Sequence, residues 1–212
     1  MSRRTHSSTS FNAEERKLLR PLDSPDKIQA FLDTVGYSAD PIYRSPRSVM
    51  RDRKAHCVDG ALFAACALRA IGQHARIIEL RAVRDDDHLL ALYERDGRIG
   101  AVAKSNFVGL RFREPVFRSV RELALSYFHD YYNVAGEKTM RAYSVPLDLR
   151  AFDADGWMFR DEAVDAIIAR LEASRHYTVL TRRNEARLVP MDKRALEAGL
   201  LGANQAGLYR PE

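Results

Sequence analysis

Apolar residues first settle into a helical rhythm at Ile28, Phe31, Leu32 and Val35, whose three- and four-residue spacing puts them on one buried face. Ser24 is placed to cap that helix, Pro25 suits its first turn, and Gly36 stops it. A shorter helix is expected from an Asn12 cap to about Arg20. Residues 37–48 carry two prolines and little periodicity, and read as a loop. From Cys57 to Ala70 almost every residue is a helix former, Gly72 ends the run, and Ala61, Ala64, Ala65 and Ala67 allow close packing. Strands are predicted over residues 76–83, 88–94 and 99–104. Asp85-Asp86-Asp87 forms the first turn between them, and Asp96-Gly97 is a strong hairpin signal. Ser119 and Glu122 form a capping box for a helix reaching about residue 132. Its aromatic residues, Tyr127, Phe128, Tyr131 and Tyr132, are expected in the core. A strand near 143–149, a helix over 161–173, a strand near 177–180 and a late short helix complete the pattern.

Helices, then an antiparallel meander, then mixed elements make an α+β chain, with the Cys57 helix packed on an antiparallel sheet. Three regions are expected: a mobile arm and short helix over 1–23, the arm itself being Ser2 to Ser10; a core over 24–149; and a helix and strand extension over 150–212 packed on that core. At 46% hydrophobic residues the chain has enough apolar material for a real core. No apolar run approaches the roughly 20 residues of a membrane helix. The basic start, Met1 to His6, is not followed by an apolar signal segment, so no membrane partner and a cytoplasmic location are expected. Net charge is +5, but Lys and Arg are spread along the chain without a dense basic block, which argues against nucleic acid as a partner.

Two cysteines are present, Cys57 and Cys66. Nine helical positions separate them by about 13 Å along the axis and turn them to opposite faces, too far for a disulfide. A cysteine nucleophile works as the thiolate, which a helix N-terminus and a nearby imidazolium both favour. Cys57 opens its helix and meets the first condition; Cys66 is mid-helix and reads as a small buried residue. His88 opens a strand beside that helix and is the candidate base, its pKa expected to be raised by Asp85 to Asp87. With a two-residue turn at Asp96-Gly97, His88 faces Ser105, and a bulge brings Asn106 across. Asn106 is the favoured group to orient the imidazole, with Ser105 as the alternative. His56, Cys57 and the aspartates lack zinc-ligand spacing, so no metal is expected. His74, His129 and His176 have no evident partner.

The stretch His56-Cys57-Val58-Asp59-Gly60-Ala61-Leu62-Phe63-Ala64-Ala65, continuing through Leu68-Arg69-Ala70-Ile71-Gly72 and Ala75-Arg76, resembles the nucleophile helix of transglutaminase-like, papain-related cysteine enzymes. Asp87-His88-Leu89-Leu90-Ala91 resembles their histidine strand. The resemblance spans residues 45–106, under a third of the chain. It departs from the family pattern in two ways: Ile99 replaces the usual aromatic residue with no Asp before Asn106, and no glutamine precedes Cys57. Tyr43 and His56 are then candidate oxyanion or substrate contacts. The resemblance implies a cofactor-free acyl transfer from an amide or ester, including peptides, with Cys57, His88 and Asn106 as the catalytic group. The alternative is a transglutaminase-like binding or scaffolding module without catalysis. The sequence leaves the substrate, the acceptor (water or an amine) and the oligomeric state open.

Overall fold

Asn12 accepts from the Glu15 N–H while Glu15 returns a bond to the Asn12 N–H, and this box starts helix α1 (Ala13–Leu19). The structure, a computed structural model, describes residues 10–211, so the arm expected over Ser2 to Ser10 lies outside them except for Ser10. Helix α2 (Pro25–Thr34) follows, with Ile28 and Leu32 buried and Phe31 stacked on Phe63 at 4.8 Å. Strand β1 (Gly36–Tyr37) pairs in parallel with β2 (Lys54–Ala55), and between them runs α3 (Pro46–Asp52). That helix replaces the end of the expected loop. Pro46 sits in its first turn, and Ser45 and Ser48 are tied to Asp161 at 2.7 Å and 3.0 Å. A partner more than a hundred residues away leaves no local pattern.

Helix α4 (Cys57–Ala70) leads into β3 (Arg76–Ala82), β4 (His88–Arg95) and β5 (Arg98–Val102). The expected hairpin is present: Arg95 pairs with Arg98, and Asp96 and Gly97 both have positive φ, 52° and 69°. Strand β6 (Arg113–Phe117), absent from the sequence reading, adds to the edge of β5. Next come α5 (Val120–Ser126), β7 (Met140–Ser144), β8 (Leu147–Asp148), α6 (Val164–Glu172), β9 (His176–Thr178), α7 (Arg182–Glu185) and α8 (Lys193–Gly199). Helix α5 is shorter than expected because a 3-10 turn at Phe128–Asp130 takes over.

The fold is α+β. The main sheet runs β6-β5-β4-β3-β7-β9, every pair antiparallel, with β8 on the far end of β3. Both faces are covered. Ile77, Leu89, Ala91 and Tyr93 pack with α4, α2 and α6 on one side. Ile78, Leu80, Leu90 and Leu92 pack with Leu123, Tyr127 and Tyr131 on the other. Among the described residues no helix is long and apolar enough to cross a membrane.

Helix α4 meets the sheet end at Gly60, where a Cβ would fall 2.2 Å from the Lys104 Cβ. Lys104 is buried, and its ammonium bonds the Leu32 and Val35 carbonyls at 2.9 Å and 2.5 Å. Both backbones are fixed, so Gly60→Val should cost about 1–3 kcal/mol in urea unfolding. An unchanged midpoint would show that this approach can widen freely.

Candidate functional site

Helix α4 begins where Asp59 and His56 say it must. Asp59 is fully buried in the first turn and accepts from the His56 N–H at 3.2 Å and from the Arg44 N–H at 2.8 Å. His56 caps the helix: its Nδ1 accepts from the Val58 N–H at 3.2 Å and its Nε2–H donates to the Ile42 carbonyl at 3.2 Å. Both ring nitrogens are thereby used, and burial lowers the pKa of His56. His56 is therefore a helix cap, while Tyr43 stands edge-on to its ring and partly exposed, lining the larger cavity over Cys57.

Cys57 occupies the first helical position and is half-buried, as the sequence placed it; Cys66 is buried mid-helix. The Cys57 thiol donates to the Asp87 carbonyl at 3.5 Å. Burial pushes the Cys57 thiol up to about 12, the Asp86 charge adds to this, and the Leu89 and Val58 N–H groups oppose it. At rest the sulfur is a protonated thiol.

His88 opens β4, as the sequence placed it. Leu89, Ala91 and Tyr93 take the α4 face of the sheet, so strand alternation sends the His88 side chain to the opposite face with Leu90 and Leu92. Its Nε2 donates to the Leu110 carbonyl at 2.7 Å, and Tyr131 stands edge-on at 6.3 Å. The orienting partner is thus a backbone carbonyl in place of Asn106 or Ser105. Asn106 bonds residues 204 and 207 instead, and the Ser105 hydroxyl accepts from the Phe107 N–H. The aspartates do not raise the pKa of His88. Burial pushes it down to about 4, aided by the Arg113 charge and opposed by the Leu110 bond.

Cys57 and His88 line one cavity at the end of the sheet. This cavity of about 30 Å³ is bounded by Cys57, His88, Ser105, Asn106, Tyr131 and Gly207, among others. A water needs roughly 10–15 Å³, so this space has room for water. Among the described residues the His88 Nδ1 makes no hydrogen bond, and His88 is one of the residues that line the space. A second cavity of about 430 Å³ opens over Cys57, with Asp40, Glu79, Asp86, Asp87 and Glu172 in its wall and, among the described residues, no Lys or Arg. Glu79, a member of that wall, is buried and bonds the His176 Nε2 at 2.7 Å, a partner the sequence did not reveal. No group of three or more His, Cys, Asp or Glu side chains suited to a metal occurs among the described residues.

No family model matches this chain, and no curated protein does. Similar solved structures include Legionella pneumophila LapG treated with EGTA, with a TM-score of 0.39 and 14% identity over 76% of this chain and 91% of that one. Legionella pneumophila LapG gives 0.38 and 14% over 76% and 90%. At these scores the likeness decides nothing about residues or chemistry.

The protonation of His88 has a measurable consequence. Its folded pKa lies below the value near 6.5 of an unfolded histidine, so between those values the unfolded chain binds the extra proton. Stability is complete above about pH 6.5 and falls as pH drops toward 4. Compared with His88→Gln, the wild type should lose up to about 3 kcal/mol between pH 7 and pH 4 in urea titrations. A pH-independent difference would mean that His88 is not buried as the neutral ring.

Proposed function

We propose that the chain is a cysteine-nucleophile acyl-transfer enzyme acting on an amide or ester, with Cys57 as nucleophile and His88 as general acid and base. The observation that carries this reading is the shared cavity. A thiol at the start of a helix and an imidazole whose tautomer is fixed border one space with room for water.

Chemistry follows from the tautomer. Because Nε2 donates to the Leu110 carbonyl, Nδ1 is the nitrogen that takes a proton. The thiol proton passes to Nδ1, directly or through water in the shared space, and the sulfur attacks the carbonyl carbon. The tetrahedral oxyanion is held by the Cys57 N–H at the head of α4, since His56 already takes the N–H of Val58. Collapse breaks the bond to the amine or alcohol, and His88 returns the proton to that leaving group. Water or an amine, deprotonated by Nδ1, then releases the thioester. The acidic wall of the larger cavity favours a substrate with positive charge near the reacting bond. The resemblance to transglutaminase-like enzymes at Cys57 and His88 supports the same chemistry. A peptide is the substrate that fits this reading.

Reaction with p-nitrophenyl acetate tests it. A thioester should form at Cys57, mapped by mass spectrometry, and Cys57→Ala should abolish it. His88→Ala should lower the rate about a hundredfold, as loss of a general base does, with the fold retained. Acylation indifferent to His88, or spread over other residues, would leave the binding-module reading in its place.

A further inference from the structure

The chain turns back at Gly202, where φ is 73°, after α8 has docked through the Tyr132 hydroxyl bonded to the Ala195 carbonyl at 3.0 Å. It then crosses the mouth of the site. The Asn106 Nδ2 donates to the Asn204 and Gly207 carbonyls at 2.9 Å and 3.1 Å, and the Asn106 Oδ1 accepts from the Asn204 N–H at 2.7 Å. The Asn204 Nδ2 donates to the Tyr37 carbonyl at 3.0 Å. Gly207 passes so close to the Tyr37 ring that a Cβ would fall 2.9 Å from it. Gly207 and Tyr209 wall both the small cavity and the larger one that contain Cys57.

We infer that residues 204–209 form a strap across the mouth of the Cys57 site in cis, and that this strap restricts access to the cysteine. The inference rests on the site proposed above but concerns its control. Asn106, buried and fully committed to the strap, is its anchor. The outer face of the strap is open: Asn204, Gln205, Ala206 and Tyr209 are exposed. Segments with few buried apolar contacts open at low cost, and among the described residues four side-chain hydrogen bonds tie this one to the rest of the chain. None of the four involves a titratable side chain, so the strap responds to competition for the mouth and not to pH. A chain segment or ligand that displaces it widens the approach to the half-buried sulfur, and more water then reaches a thiol whose pKa is raised chiefly by burial.

Alkylation by iodoacetamide, mapped at each cysteine in the full-length chain, provides the test. Gly207→Val forces the strap off the Tyr37 ring and should raise the rate at Cys57 at least about tenfold at pH 7.5, with Cys66 still protected. Asn204→Ala removes the bond to Tyr37 without adding bulk and should raise it in the same direction. Cys66 protection separates release of the strap from unfolding. An unchanged Cys57 rate in both variants, with Cys66 protected, would overturn the strap. The ester reaction run on the same variants keeps the two proposals apart. Faster alkylation without His88-dependent acylation leaves the strap standing and removes the enzyme reading. His88-dependent acylation at an unaltered rate does the reverse.

Discussion

The buried pair of Arg44 and Asp59 fixes where α4 starts, and the position of Cys57 follows from it. Asp59 is fully buried and Arg44 nearly so. Arg44 reaches Asp52 at 3.2 Å, Ser38 at 3.0 Å and Asp59 at 3.7 Å, and also pairs with Asp40. One guanidinium therefore gathers the chain before α3, the end of α3 and the first turn of α4. Burial pushes Asp59 up to about 7, against the opposing N–H groups and the Arg44 charge. Removing one member of such a buried pair leaves the other uncompensated, which typically costs about 3–5 kcal/mol. A reactive residue at a helix start is only as well placed as that start.

Burial explains the resting electrostatics with one cause. It raises the thiol of Cys57 and lowers the imidazole of His88, so both sit neutral near pH 7. A thiolate and an imidazolium together need water or a substrate dipole in place of the present desolvated surroundings. The proposed site is therefore a latent one, and the strap over its mouth belongs to the same design.

Much of the frame is legible in the sequence because it is written locally. Asn12 and Ser24 mark helix starts, Asp96-Gly97 sets a hairpin with the expected register, and the small-residue run from Cys57 to Ala70 is a helix with those bounds. Helix α3 and strand β6 were missed because distant partners hold them. The facing of His88 was hidden for a different reason. Leu89 and Leu90 are both buried because helices and aromatics cover both sides of the sheet, so alternation in β4 carries no mark of which side belongs to α4. A backbone carbonyl such as that of Leu110 has no residue identity to read. Asp59 and Arg44 were visible as letters, but only the fold shows that they touch.

The tie between α3 and Asp161 bears on the order in which the chain assembles. The Ser45 N–H and Ser48 hydroxyl are satisfied by one carboxylate, and the Arg47 N–H by the Met158 carbonyl at 3.1 Å. These contacts close loops of more than a hundred residues, which fold late because their entropy must be spent before any contact repays it. On a ribosome, α3 stays unfinished until residue 161 has emerged, and the start of α4 depends on α3 through Arg44. The cysteine helix is thus encoded early while its support from α3 is completed late, and a nascent chain stalled before residue 158 lacks the Met158 and Asp161 ties of α3.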